Sequence, residues 1–232
     1  MSRIFLLLDT YNLFYFKGDF YMTERNENLI MCTGRIMFKN YNENSKRLFL
    51  VIGIFTPKLI WNAGEDENDN FNRDFPGFVV EGEKAALFNK DLEVGSIVSI
   101  RGHVNTEEVM RPLGNNTFRR EWRTLLVADD IYEDGSSNGF CNVCLSGEVI
   151  RVYRNAEPGH NLYIITIRIN NEKGFPYRAT FVYFDREMAL EPKVGDRVST
   201  SGIIQTKRVE RENGRAVNLL SIVSRFLIIE RK

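Results

Sequence analysis

Trp122 lies among three arginines, in the run Arg119-Arg120-Glu121-Trp122-Arg123. An indole offers a flat π face on which another flat ring can stack, and guanidinium groups beside it can neutralise phosphates. A second basic run, Lys207 to Arg215, carries Lys207, Arg208, Arg211 and Arg215 interleaved with Glu210 and Glu212. Aromatic faces plus cations are the two contacts that a single nucleic-acid strand needs, and stacking contributes about 1–3 kcal/mol per base. Neither run contains a nucleophile paired with a base, so the chemistry implied is binding rather than catalysis.

Other constellations fail on residue type or spacing. Cys141-Asn142-Val143-Cys144 has the spacing of a metal or redox pair, but no second pair of zinc ligands follows; core packing is the expected role. Asp66, Asn68 and Asn70 open like a calcium loop, yet Phe71 and Gly77 stand where Gly and Glu are needed. No phosphate-cradling Gly-x-x-x-x-Gly-Lys-Ser/Thr occurs. His103 and His160 have no convincing Ser or Cys partner. The opening Ile4 to Phe14, with Asp9, is similar to the first strand of some metal-dependent 5′-nucleases, but the carboxylates needed to hold two metals are missing from the β-rich remainder. The expectation is a protein that is not an enzyme and uses no cofactor or metal.

The 232 residues suffice for one large domain or two small ones. With 43% hydrophobic and 27% charged residues the chain is expected to fold, and 17 Phe, 9 Tyr and few Pro favour strands. No apolar run approaches the roughly 18 residues that cross a bilayer, so no membrane partner is expected. Three cysteines and the lack of a secretory signal at the start suggest a reduced, cytoplasmic setting. Net charge is zero but unevenly spread: residues 138–232 carry 15 Lys and Arg against 10 Asp and Glu, leaving 16 against 21 in the first 137. Charge alone therefore does not announce nucleic acid. An acidic first half suits a second reading, a protein-interaction module.

The elements that must position these residues occur twice. Met31-Cys32-Thr33-Gly34-Arg35-Ile36 matches Cys144 to Val149, and Val94 to Gly102 matches Val194 to Gly202, with the two glycines seven residues apart in both. Phe78-Val79-Val80 matches Phe181-Val182-Tyr183, and a late apolar strand (Leu125 to Ala128, Leu219 to Val223) closes each copy. The polar stretch Glu133 to Gly139 separates them. The expected organisation is an N-terminal arm or extra strand over 1–27, a first copy over 28–134, a linker over 135–140 and a second copy over 141–232. Each copy reads as five strands and a short helix, with Asp185 to Leu190 the helix of the second. An Asn/Asp-rich insertion spans about Pro57 to Phe75.

Strand alternation sorts the candidates by face. In the first copy, Gly34, Ile36 and Phe38 share one parity, which sends Arg35, Lys39 and Tyr41 outward. Leu48, Leu50, Ile52 and Ile54 form an aliphatic face, opposite Arg47, Phe49 and Phe55. In the second copy, Arg178 and Phe184 share a face opposite Ala179, Phe181 and Tyr183, with Arg168, Arg151, Tyr153 and Arg154 nearby. The two basic runs fall on hairpins, Asn213-Gly214 turning the second.

The order of strands, the Val-Gly turn and the hairpin resembles an OB-fold, a five-stranded Greek-key barrel. The residues of Leu145 to Val149, Phe181 to Arg186, Val194 to Val198 and Leu126 to Ile131 are similar to the bacterial single-stranded DNA-binding protein family. The resemblance implies an all-β protein of two tandem five-stranded OB-fold barrels, each with a short helix. It implies sequence-independent binding and protection of single-stranded DNA in replication or recombination. RNA is a further ligand that the sequence does not distinguish. Four barrels per functional unit would make the chain a homodimer, with a monomer the other reading. The chain ends Phe226 to Lys232 in place of the family's acidic tip, which puts recruitment of replication proteins in doubt and suggests a phage or plasmid source.

Overall fold

Alternation of apolar and polar side chains writes strands along nearly the whole chain. The structure, a computed structural model, describes residues 27–57, 71–114, 117–134, 139–157, 160–171, 175–185, 190–210 and 216–230. Among these it forms β1 (Asn28–Asn42), β2 (Arg47–Pro57), β3 (Phe71–Asp74), β4 (Gly77–Glu81), α1 (Glu83–Asp91), β5 (Ile97–Gly114), β6 (Thr117–Glu133), β7 (Phe140–Glu157), β8 (His160–Ile169), β9 (Tyr177–Asp185), β10 (Arg197–Glu210) and β11 (Ala216–Glu230). The protein is nearly all β, in one large mixed sheet.

The pairings run in two circuits. β1 pairs with β2, β2 with β4, β4 with β6, β6 with β5, and β5 returns to β1. β7 pairs with β8, β8 with β9, β9 with β11, β11 with β10, and β10 returns to β7. In each circuit a single pairing is parallel, β4–β6 and β11–β9. An antiparallel ladder between β1 and β7, from Asn28↔Leu145 to Thr33↔Phe140, joins the circuits.

Small features recur at matching places. Gly95, at φ 102°, donates its N–H to Ile36 O at 2.8 Å; Gly195, at φ 94°, donates to Val149 O at 2.8 Å. Both sit in left-handed backbone that glycine tolerates best. Gly102 and Gly202 each follow a register shift, and a Cβ there would lie 2.0 Å from Val127 O and 2.2 Å from Val223 O. No other residue fits so close an approach.

Apolar side chains of the expected parity are buried in both circuits. Leu48, Leu50, Ile52 and Ile54 are buried in the first, and Tyr163, Ile165, Ile167 and Ile169 in the second. Burying such a side chain contributes about 1.5–3 kcal/mol. α1 packs against β1, β2 and β4, with Ala85 buried and Phe88 against the core. Its acidic first turn (Glu83) and basic last turn (Lys90) suit the helix dipole.

Several expectations need adjustment. The end of the insertion forms β3, a strand beyond the five expected in the first copy, paired with β2 from Ile54↔Asp74 to Pro57↔Phe71. β7 starts at Phe140, inside the expected linker. The N-terminal arm up to residue 26, most of the insertion (58–70) and the helix expected in the second copy (186–189) lie outside the described residues.

Candidate nucleic-acid interface

β1, β2 and β4 present one outer face. Phe49, on β2, is 38% exposed, and its ring covers the backbone of Gly77. Phe38, on β1, is 50% exposed and meets Phe49 edge to face, with centroids 6.5 Å apart and planes at 63°. Phe55, further along β2, is also exposed. Arg47 lies on the same parity of β2 as Phe49. Its Nη2 is 2.8 Å from Glu81 Oε1 and its Nη1 3.2 Å from Glu107 Oε1. The hydrogen bond that Arg47 donates to Glu107 is the main reason its pKa is raised above the ordinary value.

Phe38 overturns one expectation. The β1–β2 register shifts between Ile36 and Phe38, so one extra residue reverses the parity beyond it. Phe38 therefore points outward. Lys39 turns the other way, where its Nζ donates to Asn89 O at 2.7 Å and Leu92 O at 2.6 Å, closing the C-terminal end of α1. Tyr41 packs against the core. Neither stands on the outer face where alternation placed it. Arg35 is exposed as expected, but its Nη1 donates to Gly95 O at 2.7 Å and so braces the turn.

β7, β8 and β9 present the matching face of the second circuit. A register shift between Val149 and Arg151 again reverses parity. Arg151 and Tyr153 are exposed, and Tyr153 stands opposite Ile164, itself opposite Val182. Arg154 donates from Nε and Nη2 to Asn161 Oδ1. Arg168 and Arg178 are direct cross-strand neighbours, an arrangement whose repulsion needs an offsetting anion. Glu148 supplies one, 2.7 Å from Arg168 Nη2. Phe184 is exposed, while Ala179 and Phe181 are buried.

β5 and β6 form a long ribbon that also contacts β9 of the second circuit. Arg119, Arg120 and Arg123 are exposed on it. Arg120 Nε lies 3.1 Å from Glu108 Oε1, and Arg123 stands opposite Glu107. Trp122 stands opposite Glu108; its side chain lies outside the described set. On the β10–β11 ribbon Lys207 is exposed and Arg208 stands opposite Asn218, the latter's and Arg208's side chains being outside that set. Arg211 and Arg215 lie outside the described residues altogether.

Each ribbon also touches the other circuit. Thr106 Oγ1 accepts the N–H of Arg178 at 3.2 Å and donates to its carbonyl oxygen. Thr206 Oγ1 accepts the N–H of Phe75 at 2.8 Å. The His103 ring meets Tyr177 at 5.3 Å. Asp74 Oδ1 accepts from Thr206 N and Oγ1, whereas its Oδ2 has no hydrogen-bond partner among the described residues. Burial raises the pKa of this carboxyl.

The structure thus gathers Arg47, Phe49 and Phe55 on one face and Arg151, Tyr153, Arg168, Arg178 and Phe184 on another. It adds Phe38, Met37, Ile164 and Phe118, which the sequence reading passed over; Phe118 is 60% exposed. Phe118 adjoins Arg119, so the reasoning that marked Trp122 could have found it. Phe38 also adjoins a cation, Lys39, but simple alternation turned it inward with Gly34 and Ile36.

No family model matches the sequence, and no curated protein matches it. Among solved structures, the fold is similar to that of a deletion variant of the single-stranded DNA binding protein from Thermus aquaticus. The TM-score is 0.67 with 14% identity, over 90% of this chain and 97% of that chain. The wild-type Thermus aquaticus protein gives 0.64 with 13% identity, over 90% and 95%. The shared fold therefore extends over nearly the whole of both chains.

Proposed function

We propose that the chain is two OB barrels in tandem that bind single-stranded DNA without sequence preference, holding it unpaired and protected during replication or recombination. The observation that carries this reading is the pair of outer faces, each with solvent-facing aromatic or apolar rungs beside arginines. In the first circuit Phe49 stands opposite Asn40; in the second Ile164 stands opposite Tyr153, so the ring sits on the neighbouring strand at the corresponding rung. Bases would stack on Phe38, Phe49 and Tyr153, and phosphates would take Arg47, Arg151, Arg168 and Arg178 as counterions. The matched turns, glycines and register shifts support the tandem-barrel reading. The likeness to proteins named for single-stranded DNA binding supports the ligand class.

The arginines are not idle without DNA. Arg47, Arg120 and Arg168 each have a carboxylate partner on the surface. Exposed pairs of this kind contribute only about 0–1 kcal/mol, so a phosphate can displace the carboxylate at small cost. The test is anisotropy of labelled oligo(dT), titrated at low and moderate salt beside a duplex. The expected result is tight single-strand binding that weakens with salt, with little duplex affinity. Absence of single-strand binding at low salt overturns the reading and favours a protein-interaction module.

A further inference from the structure

Cys32 and Cys141 meet where the two circuits join. They are direct partners in the antiparallel β1–β7 ladder, and their Sγ atoms lie 3.1 Å apart. Both are buried, Cys32 at 1% exposure and Cys141 at 5%. The N–H of Ile204, on β10, donates to Cys141 Sγ at 3.4 Å and helps fix that sulfur. Cα atoms of opposite residues in an antiparallel ladder are about 4.5–5.5 Å apart, within the range a disulfide spans. Closing the sulfurs to bonding distance needs side-chain rotation rather than movement of the strands.

Cys144 is excluded from this pair despite its CxxC spacing. It is partly exposed, stands opposite Leu29, and its Sγ accepts a hydrogen bond from Asn142. Strand alternation puts residues three apart on opposite faces of β7.

We propose that Cys32 and Cys141 are a site of reversible disulfide formation that covalently staples the first circuit to the second. The oxidant class is a hydroperoxide. Cys141, the more accessible thiol, attacks one peroxide oxygen; the O–O bond breaks, water leaves with hydrogen peroxide as oxidant, and Cys141 becomes a sulfenic acid. The Cys32 sulfur then attacks the Cys141 sulfur; the S–S bond forms, the S–O bond breaks and a second water leaves. Two thiols have lost two protons and two electrons, and the peroxide has been reduced to two waters. Burial, followed by the neighbouring sulfur, pushes the Cys32 thiol pKa up, so the resting thiol stays protonated and gives up its proton only as it attacks Cys141.

The bond would close a loop through 109 residues of sequence separation and hold β1 against β7. Its effect is on cohesion of the two circuits and is independent of whether they bind DNA. The test uses the full chain exposed in its native state to hydrogen peroxide, then denatured for thiol titration and digested without reductant for peptide mapping. The expected result is a fall from three free thiols to one, a linked peptide pair containing Cys32 and Cys141, and a higher urea midpoint that dithiothreitol reverses. Cys144→Ser would still form the link, whereas Cys32→Ser would form no link and would leave Cys141 at the sulfenic acid, read as a dimedone adduct. Three thiols surviving the exposure, a link through Cys144, or a link between two chains would overturn the proposal.

Discussion

Glu107→Gln isolates the competition between carboxylate and phosphate at the first face. Glu107 lies on β5 and reaches Arg47 on β2 at 3.2 Å, while Glu81 holds the other guanidinium nitrogen at 2.8 Å. The side chains of Arg47 and Glu107 are 44% and 35% exposed, so their pairing is screened by solvent. A pair of this kind contributes about 0.2–1 kcal/mol. Removing it should shift folding stability by no more than that. A DNA phosphate approaching Arg47 no longer has to displace Glu107, so affinity at low salt should rise by the same energy, roughly 1.4- to 5-fold. One added net positive charge on the face acts like one further neutralised phosphate, steepening the salt dependence by about 0.7 in log–log slope. Between about 50 and 200 mM salt the variant's advantage should therefore shrink by roughly 2.6-fold. The assay is oligo(dT) anisotropy across a salt series, with urea denaturation as the folding control. Unchanged or weaker binding by a variant of ordinary stability would refute the idea that Arg47 faces a phosphate.

Phe49→Ala and Tyr153→Ala should each weaken single-strand binding by about 1–3 kcal/mol without a matching change in salt slope, because a ring and not a charge is lost; oligo(dT) titration at two salts checks both. Lys39→Met should lower stability by about 1.5–3 kcal/mol, since two charged hydrogen bonds at the end of α1 disappear, and should leave DNA affinity per folded molecule unchanged. Gly102→Ala should destabilise by at least about 1–3 kcal/mol in urea, because the new Cβ would lie 2.0 Å from Val127 O. Asp74 has its folded-state pKa raised by burial. Its contribution to stability is fully present below the unfolded carboxyl pKa and is lost as pH rises through the folded one. Asp74→Asn should flatten that part of the stability–pH curve, read by urea denaturation from acidic to neutral pH.

What was legible in the sequence follows from local periodicity. The alternation in Arg47 to Phe55 and in Tyr163 to Ile169 fixes which side chains are buried, and the structure buries those side chains. Matches such as Phe78 with Phe181 lead to corresponding parallel rungs, Phe78↔Leu126 and Phe181↔Ile222. Lys39 and Tyr41 were misplaced because one extra residue after Ile36 reverses every later side chain, and nothing in Met37-Phe38 marks the shift. The carboxylate partners of Arg47 were illegible for another reason. Glu107 is 60 residues away on β5, and only the tertiary fold brings it to Arg47. The contact of Cys32 with Cys141 likewise depends on the β1–β7 register, which no local pattern encodes.

The central claim is that both outer faces hold one single strand. Calorimetric titration with a dT length series tests it most directly. The account predicts that short oligonucleotides bind two per chain, that a longer one binds one per chain with higher affinity because its second contact is intramolecular, and that duplex does not compete. Binding of a single short oligonucleotide per chain, with no gain in affinity on lengthening, would contradict it.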